Sequence, residues 1–255
     1  AIATPGQAIA LGYVMAVAIC FYLFMQNSFK SKLDRNLGWL LLLAGIIAPL
    51  SRGPWLGALT GILSFISTGR NAVIKLIKFS VVGIFSLATL STLPIGEKII
   101  DFLPFIGKIE VKNIDYREKL IDNFLIVINK NPLFGSVNYL ESPEMQSMMQ
   151  GQGIIDIVNT YIQIALNFGL IGLSVFVLFF AVVLLNIYKS IRISSDIDNS
   201  LEELGRSLFA AILCILLTIF TVSSISVIPI IYWSVAGLGV AYCQMIKREQ
   251  NKINL

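Results

Sequence analysis

Long apolar runs separated by short basic segments constrain this chain more than any other feature. A bilayer core demands roughly 20 consecutive apolar residues from each helix that crosses it, and several runs approach that length. Charged residues make up only 13% of the chain, whereas a soluble globular domain carries about 25%. The sequence therefore predicts an all-α, multi-pass transmembrane helical bundle.

About seven membrane spans are predicted from the apolar runs and the turns between them. They cover residues 7–26, 37–50, 54–67, 73–93, 157–186, 206–225 and 228–246. The second and third of these spans are short. We expect their common apolar run to break at 49–54, because Pro49 and Pro54 favour a turn there.

Basic residues decide the predicted orientation. Lys and Arg collect at 30–35, at 70–78, at 189–206 and in the tail, and the positive-inside rule places such short segments in the cytoplasm. The predicted organisation has four spans in 1–93, a large extracytoplasmic loop at 94–156, three spans in 157–246 and a cytoplasmic tail at 247–255.

The predicted outer loop contains one amphipathic helix, from about residue 115 to residue 129. Leu120, Phe124, Leu125 and Ile128 recur there at helical spacing. Arg117 lies near the start of this helix. A solvated surface arginine and a functional arginine are both compatible with that position.

Arg52 stands inside the otherwise apolar run "GIIAPLSRGPWLGALTGIL". An arginine at the centre of a membrane helix costs roughly 2.5–3.5 kcal/mol on insertion scales. The short arms of the broken pair reach roughly 21 Å, less than a bilayer core of about 30 Å, so the turn is expected to lie below the outer surface. One interpretation is an arginine that snorkels from a helix end, and the other is an anion-binding arginine that faces the protein interior.

One face of the span near residue 157 is polar. Side chains recur there at helical spacing, at Asp156, Asn159 or Thr160, Gln163, Asn167 and Ser174. Such a face turns inward or toward a cavity, and hydrogen bonding between helices is the alternative explanation. Further along, Gly169 and Gly172 predict close helix packing.

The residue types in the chain argue against several kinds of site. There is no histidine, which removes the commonest general base and weakens any zinc hypothesis. The three cysteines lie in or beside apolar runs, so a disulfide framework is not expected. No phosphate loop, Rossmann glycine motif or nucleophile elbow occurs, and the net charge of +4 reflects basic residues beside the spans rather than a nucleic-acid surface.

Three motifs resemble those of the O-antigen ligase and O-antigen polymerase superfamily. "SRGPWLGALTGIL" resembles its Ser-Arg-x-x-Trp helix start, and "YREKL" followed by "NKNPLFG" resembles its loop arginine and Pro-Leu-Phe-Gly turn. "GQGIIDIVNTYIQIALNFGLIGL" resembles its helix with Asn-x-Tyr-Leu and Gly-Leu-x-Gly-Leu. The motifs occur in family order over residues 40–185. The resemblance implies that this chain is the C-terminal part of such a protein.

The resemblance implies a metal-independent glycosyltransferase of the bacterial cytoplasmic membrane whose active site faces the outside and which uses no cofactor. Its donor is a glycan on undecaprenyl diphosphate, and its acceptor is a glycan or a lipid in O-antigen, exopolysaccharide or capsule assembly. The family's two arginines, thought to bind the donor diphosphate, map onto Arg52 and Arg117. Arginine suits this role because its planar fork matches phosphate oxygens.

One departure from the family pattern concerns the base. Many members have histidine where this chain has Val158, and "DIVN" is similar to a polysaccharide-polymerase-like branch. The base predicted instead is Asp156, which begins the polar face; an N-cap role at the helix start is the alternative. We predict that Asn159, Tyr161 and Gln163 bind substrate.

Two non-enzymatic functions compete with glycosyl transfer. A polar face and a broken helix also suit a polysaccharide or lipid transporter or flippase subunit, although transport needs no large outer loop. A non-catalytic membrane assembly protein is the third possibility. Release of the diphosphate carrier distinguishes an enzyme from both.

Overall fold

The computed structural model describes residues 8–92, 111–150, 153–225 and 227–253, and no strand occurs among them. The α-helices are α1 (Ala8–Met25), α2 (Lys32–Ile47), α3 (Arg52–Ser67), α4 (Ala72–Ser91), α5 (Val111–Lys130), α6 (Pro143–Gln146), α7 (Thr160–Ser194), α8 (Asn199–Ile219) and α9 (Val227–Ile253). Two short 3-10 helices cover Gln26–Ser28 and Tyr139–Glu141. The predicted all-α class is confirmed for this part of the chain.

Within the described ranges, three helical stretches are long and apolar enough to cross a membrane. They are Ala8–Ser28, Thr160–Ser194 and Val227–Ile253. α2, α3, α4 and α8 overlap the other predicted spans, and the total of seven spans stays a prediction. Residues 93–110, which end the predicted fourth span and begin the predicted outer loop, lie outside the described residues.

The predicted break between the two short arms is confirmed, although its position is shifted. The turn occupies residues 48–51, and Leu50 has a φ of 50°. Pro54 lies inside the first turn of α3, where a missing backbone N–H removes no helical hydrogen bond. The indole N–H of Trp55 donates to the Ile46 carbonyl at 2.7 Å, which ties the two arms together across the turn.

The helices and the predicted membrane spans differ at several ends. α8 ends at Ile219, before the predicted residue 225, and α7 begins at Thr160, after the predicted residue 157, so these two predicted ends are wrong. α2 begins at Lys32, before residue 37, and α7 continues to Ser194, past residue 186, so both helices extend beyond their predicted spans. Apolar runs alone do not define where a helix ends, because a polar residue such as Arg192 continues a helix as readily as an apolar residue does.

The described residues divide into two compact units. The first contains residues from 8–92, 182–218 and 227–253, and the second contains residues from 111–150, 153–181 and 219–225. Each unit has its own buried side chains.

Close helix packing through small residues characterises the first unit. A Cβ built on Gly57 of α3 would lie 2.0 Å from the Thr218 hydroxyl oxygen of α8. The Ser207 hydroxyl of α8 donates to the Cys20 carbonyl of α1 at 2.8 Å. Tyr13 of α1 is fully buried. Small residues at such crossings let backbones approach closely, which is how membrane helices gain packing and interhelical hydrogen bonds.

The second unit is built around the amphipathic α5. The amphipathic helix predicted from about residue 115 to residue 129 is confirmed, and it is longer than predicted. Its apolar face joins a cluster of buried side chains contributed by α5, the following turns and the start of α7: Leu120, Val127, Tyr139, Met145, Met148, Ile157 and Leu166. Full burial of one such large side chain stabilises a fold by roughly 1.5–3 kcal/mol.

Gly169 interrupts α7. Its backbone has φ 68° and ψ −171°, which is not helical. The loop that follows α5, residues 131–137, fills the interruption: the Leu170 N–H donates to the Pro132 carbonyl and the Ser136 N–H donates to the Leu166 carbonyl, both at 2.8 Å. The interpretation of Gly169 as a helix-packing glycine is therefore wrong. It breaks the helix so that the 131–137 loop can bond to it.

Candidate functional site

A short non-helical stretch between α8 and α9, the 220–225 segment, is the centre of the candidate site. It was predicted to be the end of a membrane helix. Instead its backbone and side chains make hydrogen bonds to α5, to the chain before α7 and to the first turns of α7.

Asp156 lies in the non-helical chain just before α7 and is fixed at two points. The Ser223 hydroxyl donates a short hydrogen bond to its carboxylate oxygen Oδ1. The Tyr116 hydroxyl donates to the Asp156 backbone carbonyl at 2.8 Å. A carboxylate has about four lone-pair positions, so the bond from Ser223 leaves capacity for a further donor.

The N-cap of α7 is Asn159 and not Asp156. The Asn159 side-chain oxygen Oδ1 accepts hydrogen bonds from the backbone N–H groups of Tyr161 (2.9 Å) and Ile162 (3.2 Å). The N-cap alternative for Asp156 is therefore wrong. Because the chain before Thr160 is not helical, Asp156 also does not share a helical face with the residues that follow.

The polar side chains at the start of α7 contact the 220–225 segment. The Thr160 hydroxyl donates to the Val222 carbonyl at 2.7 Å, and the Gln163 oxygen Oε1 accepts from the Ser224 N–H at 3.0 Å. These bonds satisfy the backbone of a non-helical segment, which is the role that the helix-bonding alternative assigned to this face. Beyond the break at Gly169, Ser174 is exposed.

Arg117 projects from the exposed face of α5 toward the same segment. Its guanidinium nitrogen Nη2 donates to the Thr221 carbonyl at 3.3 Å. Thr221 and Ser223 are two residues apart, and extended chain spans at most about 3.6 Å per residue. The backbones of Thr221, which accepts from Arg117, and of Ser223, whose hydroxyl donates to Asp156, therefore lie within about 7 Å of each other.

Tyr161, a predicted substrate contact, packs against aromatic rings. Its ring lies edge-on to Phe176 with centroids 6.0 Å apart, and the Phe220 ring is 6.2 Å away. Edge-to-face pairs of this kind contribute about 0.5–1.5 kcal/mol beyond burial. The structure thus gives this side chain a packing role, and substrate binding by Tyr161 stays a prediction.

The second unit also contains an ion pair. Lys130 at the end of α5 contacts Glu144 at 2.8 Å, and this hydrogen bond holds the pKa of Glu144 below its usual value. Burial raises the pKa of Tyr139, although a hydrogen bond from Asn167 opposes the shift.

Arg52 is the first residue of α3 and is partly exposed. The first N–H groups of a helix lack intrahelical partners, and the helix dipole there favours an anion. Such a helix start is a suitable place for an anion. Arg52 belongs to the first unit, whereas Arg117 and Asp156 belong to the second.

The 220–225 segment is the functional feature that the sequence analysis missed. Its signal is the hydroxyl-rich stretch "TVSSIS" before Pro229, because Ser and Thr side chains compete with helical backbone bonds. Hydropathy averaged over the whole apolar run at 206–225 does not show this local change in residue type.

A family model described as O-antigen ligase matches residues 37–177, more than half of the chain. The match contains Arg52, Arg117 and Asp156, whereas the 220–225 segment lies beyond its end. No curated protein matches the chain.

Proposed function

The chain belongs to the O-antigen ligase family, and from that premise we propose that it is a membrane glycosyltransferase. Its donor is a glycan on undecaprenyl diphosphate, and it transfers or polymerises that glycan outside the cytoplasmic membrane. The supporting observation is that Arg117 and Asp156 converge on the 220–225 segment. One is a permanent cation, and the other is a carboxylate.

In the proposed reaction, an acceptor sugar hydroxyl attacks the anomeric carbon of the donor glycan. The new carbon–oxygen bond forms while the bond to the diphosphate oxygen breaks, and the hydroxyl proton passes to the Asp156 carboxylate. Negative charge grows on the departing diphosphate, and the Arg117 guanidinium stabilises it by charge-assisted hydrogen bonds. Ser223 holds the carboxylate in place by donating a hydrogen bond to its oxygen Oδ1.

The remaining predicted residues have supporting roles in this proposal. For Arg52 we propose diphosphate binding, supported by the family motif and by its place at the start of α3. Asn159 and Gln163 orient the acceptor side through α7, because their side-chain oxygens fix its first turn and its partner segment.

The experiment that tests the function measures release of the carrier. The full chain, in membranes or purified, is incubated with a polyprenyl-diphosphate glycan, and free polyprenyl diphosphate is quantified. Glycosyl transfer requires its release in step with product. The break in α7 at Gly169 also suits a transporter, and movement of intact donor across vesicles without any release would establish that alternative.

Arg117→Ala is expected to lower the rate of carrier release by roughly 10–100-fold, the worth of one or two charge-assisted hydrogen bonds. Arg117→Lys should recover only part of it, because an ammonium lacks the planar fork. Lys119→Ala is the matched control, an exposed cation on the same helix, and should retain normal activity. Equal losses of activity in the Arg117 and Lys119 variants would show that the effect comes from surface charge in general and not from a specific role of Arg117.

Arg52 is tested separately with the same pair of substitutions. A donor-binding arginine predicts loss in Arg52→Ala and partial recovery in Arg52→Lys. A snorkelling arginine predicts full activity in Arg52→Lys, because a lysine reaches water equally well.

The proposed orientation places the outer loop outside and the basic linkers inside. In a background without the three cysteines, Glu141→Cys should react with a membrane-impermeant maleimide in intact cells. Lys32→Cys, an exposed position before the predicted second span, should react only after permeabilisation. The reverse pattern would invert the whole arrangement and remove the proposed site from the outer face.

A further inference from the structure

Three apolar side chains of the 131–137 loop point away from the second unit. The exposed fractions are 56% for Leu133, 74% for Phe134 and 87% for Val137. Adjacent exposed apolar side chains mark a surface that contacts another molecule or a membrane. The loop is not loosely attached, because its backbone is hydrogen-bonded to α7 on both sides of Gly169.

The position of this loop along α7 indicates what covers it. From Ile157 onward, the first charged residue of the chain is Lys189, and a hydrocarbon core about 30 Å thick takes roughly 20 helical residues. Counted back from Lys189, the apolar stretch ends close to Gly169. The carbonyls of Pro132 and Leu133 accept from Leu170 and Ile171, so the loop is held at the level where the core ends.

The side chains of α7 beside the loop continue the apolar surface. Phe168 is 62% exposed, Leu170 45% and Ile171 46%. A polar loop at this level would interrupt the contact of α7 with lipid. Leu133 and Phe134 instead extend that contact beyond the helix.

We infer that the 131–137 loop is a membrane-interface anchor that inserts Leu133, Phe134 and Val137 among the acyl chains of the bilayer lipids, at the surface that α7 crosses near Gly169. Interfacial elements of this kind bury apolar side chains at the boundary between headgroups and acyl chains. The anchor fixes the height of the second unit against the bilayer. It does not depend on the proposed transferase reaction.

The test is a nitroxide label at Phe134→Cys in the cysteine-free full chain, reconstituted in vesicles of phosphatidylethanolamine and phosphatidylglycerol. Molecular oxygen concentrates in hydrocarbon, whereas a water-soluble nickel chelate stays outside. The ratio of their collision rates with the label should be several-fold higher at position 134 than at Glu141→Cys, an exposed charged position in the same loop region. Val137→Cys gives a second reading should the first variant fold poorly.

Each other outcome contradicts the anchor. Frequent collision with nickel at position 134 would place the loop in water. Low collision with both reagents would place it beneath another part of the protein. Oxygen access that falls when polyprenyl phosphate is added would assign the surface to the polyprenyl chain rather than to bilayer lipid.

Discussion

Gly169→Ala is expected to lower the thermal midpoint of the solubilised protein by on the order of 10 °C. The Gly169 backbone conformation is essentially restricted to glycine, and another residue there costs about 1–3 kcal/mol. An added Cβ would also lie 2.1 Å from the Leu133 carbonyl oxygen. Backbone must move to relieve that contact, and the bonds from Ser136, Leu170 and Ile171, each contributing about 0.5–1.5 kcal/mol, weaken with it.

Two other glycines separate the causes of this loss. Gly153 has a similar positive φ of 72° but open space around its missing Cβ, so Gly153→Ala measures the cost of a positive φ without a steric contact. Gly237 lies inside α9 with nothing within 4 Å, and Gly237→Ala should be neutral or stabilising. The midpoint is followed by size-exclusion chromatography after heating. A Gly169→Ala midpoint equal to that of Gly153→Ala would show that the close approach of the 131–137 loop has no energetic weight.

The sequence predicted helices wherever local signals were sufficient. Pro49 and Pro54 located the break between α2 and α3, and apolar spacing located α5. The break in α7 was not predictable in the same way. "NFGLIGL" fits a continuous helix with small packing residues equally well, and the partner that makes Gly169 adopt positive φ lies in the 131–137 loop, distant in sequence.

The candidate site was predictable residue by residue but not as an arrangement. Arg117 and Asp156 were singled out by charge and by family motif, and both bond to the 220–225 segment. That segment follows an apolar run and was predicted as helix. Hydrogen bonds between residues more than 60 positions apart, such as Asp156 with Ser223, leave no periodic signal in a single sequence. The N-cap of α7 was not predictable either. Asn and Asp are both favoured N-cap residues, so capping preference alone does not distinguish Asn159 from Asp156.

Asp156→Asn is expected to lower the rate of carrier release by roughly 10²–10⁴-fold if Asp156 is the base. An amide oxygen still accepts from the Ser223 hydroxyl, and the Tyr116 bond to the backbone carbonyl is unchanged. The substitution therefore preserves both attachments and removes only the capacity to take a proton. The alternative is that Asp156 serves as an anchor for the 220–225 segment, and that role predicts near-normal activity in Asp156→Asn.

Ser223→Ala supplies the complementary variant, because it removes the hydrogen bond and keeps the carboxylate. A base that is positioned by Ser223 predicts a moderate loss in Ser223→Ala, recovered in Ser223→Thr, since threonine retains the hydroxyl. An anchor predicts that Ser223→Ala lowers the thermal midpoint while Asp156→Asn leaves both midpoint and rate unchanged. If Asp156 is the base, Asp156→Asn lowers the rate more than Ser223→Ala does. If Asp156 is an anchor, only Ser223→Ala has an effect, and that effect is on the thermal midpoint. Measuring rate and midpoint for both decides whether this carboxylate takes the acceptor's proton or holds the segment beside it.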